Sequence, residues 1–284
     1  MAFKYSQIKK IKLSVMIPAI IGLVFLITAI FAPLLAPHDP LKGSLSSRLK
    51  PPLWVEGGLK AHLLGTDVLG RDILSRLIYG SRTSLVLCVL AICFSGTIGI
   101  LLGMIAGYYG GWIDIIVMRA VDLALSLPVI LLALLFAVMF EPSFLNIVLI
   151  ISFLLWSQYA RMARGETLRV KEYDYINLAR IAGCSRGSIM FRHVLPNIAS
   201  PLIVLATLQV GTVIIIESSL SFLGVGIPPN IPDWGNMISE GRSYIVSAWW
   251  LCMVPGVAIL LTVLSFNLLG DTLTDYINPE LRRE

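Results

Sequence analysis

Few residues in this chain have the type and setting to do chemistry, and Glu217 stands first among them. It lies in Ile214-Ile-Ile-Glu-Ser-Ser-Leu-Ser221, inside a long oily stretch. An ionisable side chain at such depth is costly in lipid and is by default a functional candidate. Ser218, Ser219 and Ser221 beside it make a polar interior face. Two roles follow for Glu217, Ser218 and Ser221: lining a water-filled translocation path, or bonding to a neighbouring helix. Asp122 is the other buried-segment acid. Arg119, three residues earlier on the same helix face, predicts a simple interfacial ion pair for it. A proton-coupled transporter would normally carry more such groups at mid-membrane depth.

Enzymatic constellations are missing. No Gly-x-x-x-x-Gly-Lys-Ser/Thr loop is present to cradle a nucleotide phosphate, so the chain does not bind ATP by that device. His-Glu-x-x-His does not occur. Cys88, Cys93, Cys184 and Cys252 are scattered, with no Cys-x-x-Cys pair. His38, His62 and His193 follow no ligand spacing, so no metal site is expected. The reading is a protein that is not an enzyme and carries no cofactor of its own.

The remaining functional signal is a charged island. Glu172-Tyr-Asp-Tyr-Ile-Asn-Leu-Ala-Arg-Ile-Ala-Gly183 runs on to Leu195-Pro-Asn197, among Arg161, Arg164, Arg169, Lys171, Arg180, Arg186 and Arg192. Acidic Glu172 and Asp174 early and Arg180 late suit the dipole of a short helix. Gly183 falls where that helix should stop, since glycine takes the left-handed C′ conformation freely. A second short helical run follows, and Pro196 should end or kink it. Two short helices joined at a glycine make either a plain connection or a docking element for another protein.

The elements that hold these residues are membrane spans. The 284 residues are 57% hydrophobic and only 14% charged, against about 25% charge in soluble domains. Apolar runs predict an all-α polytopic protein with about six spans: 13–35, 83–107, 118–140, 144–162, 198–222 and 247–270. The first is too long for a signal peptide and its Ala32-Pro-Leu-Leu-Ala36 is a poor cleavage site. Within the third, Pro128 reads as a tolerated kink. Gly99, Gly103 and Gly107, four residues apart, predict close backbone packing of the second span. Gly65 to Arg76 reads as a capped amphipathic helix with Thr66 or Asp67 as N-cap. A Pro/Gly-rich loop from Gly224 leads to a short polar helix near 236–244. The net charge of +5 comes from the loops. It reads as topology and anionic lipid contact, because no basic stretch is interleaved with exposed aromatics as nucleic-acid binding would need. Six spans put both termini on one side, and the excess of Lys and Arg marks that side as cytoplasmic, although the 38–82 stretch runs against the bias.

The island resembles the signature loop of permease subunits of bacterial ATP-binding-cassette importers. That pattern runs Glu-Ala-Ala, three residues, Gly, nine residues, Ile, one residue, Leu-Pro. Here the frame reads Asn177-Leu178-Ala179, Gly183, His193 and Leu195-Pro196, with Asn177, Leu178 and His193 as departures. Gly65-Thr-Asp-Val-Leu-Gly-Arg-Asp-Ile-Leu-Ser-Arg76, Gly107-Tyr-Tyr-Gly-Gly-Trp112, Ser219-Leu-Ser-Phe-Leu-Gly-Val-Gly226, Asp233-Trp-Gly-Asn-Met237 and Phe266-Asn-Leu-Leu-Gly-Asp271 are similar to the oligopeptide, dipeptide and nickel permease branch, in its C-type subunit. The resemblance covers about 13–282.

The resemblance implies the type I importer transmembrane fold. It implies a second permease subunit, two ATPase subunits that bind the ATP, and an extracytoplasmic solute-binding protein. It also implies a bacterial inner-membrane location. Asn177, Leu178, Ala179, Gly183, Leu195 and Pro196 become the residues that couple to the ATPases. The expected division is an anchor helix with an extracytoplasmic loop over 1–82, a transport core over 83–271 and a cytoplasmic tail over 272–284. Peptide import is the expected function. A nickel permease of the same branch, a stand-alone secondary transporter or channel, and a membrane-embedded enzyme are the rivals.

Overall fold

The computed structural model describes residues 2–277, with side chains over 15–275. Helices dominate. Helix α1 (Ala2–Ile30) breaks at Phe31 into the single turn α2 (Ala32–Leu35). An irregular but bonded stretch leads to α3 (Ile73–Tyr109), then α4 (Gly111–Ser126), α5 (Val129–Met139) and α6 (Phe144–Val170). The island holds α7 (Asp174–Ile181) and α8 (Arg186–Ile189). A π-helical segment, Met190–Val194, then feeds α9 (Leu195–Phe222). Helix α10 (Trp234–Gly241) and α11 (Trp250–Ile277) follow.

Among the described residues, α3, α6, the α8–α9 run and α11 are long and apolar enough to cross a membrane. The pair α4 and α5 makes a fifth span if taken together, and Val15–Ile30 is a shorter apolar helix. The expected third span, 118–140, is not a kinked rod. Its two halves meet at 90°. Leu127 turns extended and Pro128 sits at the N-cap of α5, where its fixed φ and missing N–H suit a helix start. Of the expected tail, 272–277 continues α11, and 278–284 lie outside the described residues.

Helices α3 and α6 form the backbone of the bundle. They run parallel, with Gly99 over Trp156 O, Gly103 over Ala160 O and Gly107 beside Arg164 O. A Cβ on Gly99 or Gly103 would stand 2.3 Å from a carbonyl oxygen. This is the close approach that the four-residue glycine spacing predicts. Around it Leu87, Ala91, Ile151, Leu155, Val213 and Ile214 make a mid-bundle core from α3, α6 and α9. Helix α1 leans on α11, where Ser265 Oγ donates to Pro18 O at 2.6 Å.

The stretch before α3 is fastened down. Asp72, not Thr66 or Asp67, is the N-cap: its Oδ2 accepts from Ser75 N at 2.8 Å and Ser75 Oγ at 2.7 Å. Asp67 has a longer-range task. It pairs with Arg71 (2.6 Å) and Arg76 (2.5 Å), and both arginines reach Glu240 of α10, at 2.8 and 2.6 Å. Arg76 is fully buried. Charges survive there because each has a bonded partner of opposite sign.

Candidate functional site: a helix presented at one end of the bundle

The coupling candidates lie at the end of the bundle where α3 and α6 finish. Helix α7 carries Asp174 in its first turn and Arg180 in its last, the charge order that its dipole favours. Its C-terminus is closed by two backbone bonds: Cys184 N to Ala179 O and Gly183 N to Arg180 O, both 3.1 Å. This is the Schellman arrangement, and Gly183 supplies its left-handed residue at φ +78°. A Cβ there would meet no atom within 4 Å. The glycine is therefore required by backbone conformation, not by space.

The two faces of α7 differ. Ile176 is fully buried, and Ala179 packs with it against Met104, Tyr159, Val170, Met190 and Val194. That face ties the helix to α3, α6 and the foot of α9. The opposite face carries Asn177, Leu178 and Ile181, all exposed, with Leu178 63% and Ile181 83% accessible. Asn177 Oδ1 accepts from Arg180 Nη1 at 3.3 Å. Two cation–π contacts brace the loop on the end of α3: Arg180 over Tyr108 at 5.4 Å and Arg186 over Tyr109 at 5.6 Å. Exposed Leu178 was marked in the sequence from its place in the motif, as a departure and a coupling candidate, and Ile181 was not marked at all. The signal for both was an oily residue on the outward side of a charged helix.

Leu195 and Pro196 sit apart from this outer face. Leu195 packs into the same apolar cluster as Ile176, and Pro196 is exposed at the first turn of α9. Of the two outcomes expected at Pro196, an end or a kink, the helix does not end. The run continues through it because the preceding turn widens into π geometry, with Leu195 N bonding to Met190 O. A proline has no N–H to give, and its ring would crowd the carbonyl four residues back; the wider turn relieves this.

Glu217, Ser218 and Ser221 lie near the other end of α9 and are buried within the chain. Ser221 Oγ donates to Glu217 Oε1 at 2.8 Å, and Ser218 Oγ to Oε2 at 3.3 Å. The start of α10 seats on this turn: Gly235 lies against Ser218 O and Ser221 Cβ, so closely that an added Cβ would stand 2.6 Å from the carbonyl oxygen. The three residues thus form an internal junction and present no open wall to a path. Asp122 does not pair with Arg119: it bonds Arg161 of α6 at 2.7 Å, both side chains being half-exposed. His38 and His62, unrelated by spacing, converge on Asp72, with possible ligand atoms within 4.8 Å of one another. Asp72 is already taken by Ser75 and by His62 Nδ1 at 2.9 Å, so the group reads as a hydrogen-bonded clasp on the start of α3.

Against known proteins, residues 99–283 match the family described as binding-protein-dependent transport system inner membrane component. The chain belongs to this family. The permease is 41% identical over 269 residues to the dipeptide transport system permease protein DppC of Haemophilus influenzae, covering 93% of this chain and 91% of that one. It is 45% identical over 269 residues to DppC of Escherichia coli, covering 93% and 90%. It is 40% identical over 260 residues to the glutathione transport system permease protein GsiD of Pectobacterium atrosepticum, covering 92% and 85%. The permease is therefore a multi-pass membrane component of an ATP-binding-cassette importer, and not an enzyme.

Proposed function

We propose that this permease forms half of the translocation path of an ATP-driven peptide importer, and that cytoplasmic ATPases drive it through the 172–197 loop. The observation that carries the docking role is the two-faced α7: Ile176 and Ala179 anchor it while Leu178 and Ile181 point an apolar surface away from the chain. An exposed apolar helix face rimmed by Asn177 and Arg180 fits a groove on another protein. In this reading the partners are a second permease subunit, two ATPases that bind the ATP, and an extracytoplasmic solute-binding protein. Asn177 stands where the motif has Glu, so its contact with the ATPase uses an amide in place of a carboxylate.

Peptide is favoured over nickel because the relatives reported above are named for dipeptides and glutathione. The test is purification from the native membrane followed by reconstitution with whatever accompanies the protein. Two ATPases and a second permease should co-purify, and uptake of a dipeptide should require them together with the binding protein. Transport of that dipeptide by this chain alone in liposomes would overturn the reading.

A further inference from the structure

Asp72 caps α3 and is buried, 2% accessible, yet no Lys or Arg pairs with it among the described residues. Arg76, one turn on, is committed to Asp67 and Glu240. Two imidazoles stand in the place of a permanent cation. His62 Nδ1 lies 2.9 Å from Asp72 Oδ1, and His38 Nδ1 lies 3.7 Å from Oδ2. The first distance is a hydrogen bond; the second is too long for one. The clasp therefore accounts for His62 and leaves the placement of His38 unexplained. The two rings are 4.8 Å apart, centroid to centroid.

We infer that His38, His62 and Asp72 form a binding site for one divalent ion of the zinc class. Two imidazole nitrogens and one carboxylate oxygen suit such an ion, whereas calcium and magnesium take oxygen ligands. The three ligand atoms lie within 4.8 Å of one another. Bonds of about 2.0–2.2 Å draw them closer together, and the His38 side chain, 39% accessible, is free to swing in and leaves solvent to fill the fourth position. Ser75 orients two of the three ligands: its Oγ donates to Asp72 Oδ2 at 2.7 Å and accepts from His38 N at 3.0 Å. Such outer partners fix ligand geometry. In the clasp, His62 Nδ1 carries the proton, because an ionised carboxylate only accepts. In the loaded site that proton sits on Nε2 and the Nδ1 lone pair faces the ion. The ion supplies the charge that buried Asp72 lacks. It also cross-links residues 38, 62 and 72, three points of the stretch before α3 that no spacing in the sequence relates.

The experiment uses the permease as purified with its partner subunits, stripped with a chelator, freed of it, and titrated with zinc chloride. Wild type should hold one zinc ion more, per copy of this chain, than either His38→Gln or His62→Gln. Zinc should raise the melting midpoint of this subunit in wild type, since an ion that binds only the folded state stabilises it. It should not raise the midpoint in the two variants, and calcium should not raise it in any of the three. The His62→Gln amide still donates to Asp72, and His38 is half-exposed and makes no side-chain hydrogen bond to it, so both variants keep the clasp. Equal zinc content in wild type and both variants, or no rise in the wild-type midpoint with zinc, would each overturn the proposal.

Discussion

Glycine serves two different needs in this chain, and the two respond differently to substitution. Gly183 sits at φ +78° with open space around its Cα. A side chain there clashes with its own backbone, at about 1–2 kcal/mol for an L-residue in the left-handed region. Gly183→Val should therefore insert and fold, but lose the closed C-terminus of α7. Reduced co-purification of the ATPases and reduced uptake are expected, with Gly183→Asn much closer to wild type because asparagine tolerates that conformation. Normal ATPase recovery and uptake by the valine variant would remove Gly183 from the coupling role. Gly103 has ordinary helical backbone, but an added Cβ would stand 2.3 Å from Ala160 O. Since backbone cannot step aside as a side chain can, Gly103→Val should push α3 from α6 at a cost of about 1–3 kcal/mol or more. Thermal unfolding in detergent should show a clear drop in midpoint, while Gly165→Ala, with nothing within 4 Å, should not.

At the scale of the element, α7 separates a packed face from an exposed apolar one on one eight-residue helix. Leu178→Asp or Ile181→Asp places charge on a face that water already reaches, so folding should be preserved while ATPase association falls. Ile176→Asp buries an unpaired carboxyl in the cluster with Tyr159 and Val194 and should destabilise the fold itself. A pull-down and a melting curve on the three variants would distinguish the two faces; equal loss of stability in all three would mean that α7 has no free face. This asymmetry was only half legible in the sequence. The dipole-ordered charges and Gly183 announced the helix and its end, because capping is a local matter of a few residues. The direction of each side chain was not announced, because it depends on α3 and α9 packing from elsewhere. The 90° break at Leu127–Pro128 was hidden for a related reason. A proline in an apolar run is compatible with a mild kink as well as a full break, and packing around the two halves chooses. Likewise Asp67 looked like a cap from its neighbours alone, yet its arginine partners reach Glu240, 164 residues beyond Arg76.

Taken whole, the molecule joins two ends through few elements. Helix α9 begins at the 172–197 loop and carries Glu217 near its far end, while α10 is tied both to the end of α9, by Ser239 Oγ to Phe222 O, and, through Glu240, to the stretch before α3. The end of the bundle away from the 172–197 loop is thus one bonded unit: Asp67, Arg71, Arg76 and Glu240 lock the stretch before α3 to α10, and Ser239 Oγ, donating to Phe222 O at 2.9 Å, ties α10 to α9. A displacement of the α9 foot by the ATPases would reach that unit through a continuous helix, and the unit would move as one body only while its ion pairs hold. This gives a prediction about the network. Removing a single member leaves its partner charged and buried, which costs about 3–5 kcal/mol. Asp67→Asn should leave Arg71 and Arg76, the latter 1% accessible, to share Glu240 alone, one carboxylate short, and lower the melting midpoint strongly. Glu240→Gln should cost less, because its side chain is 25% accessible and water can take part of its place. The double variant Asp67→Asn/Arg76→Met should recover much of the loss from Asp67→Asn, since an apolar side chain needs no counter-charge. A double variant no more stable than Asp67→Asn would mean that the cost lies in lost packing at α10 and not in the stranded charge.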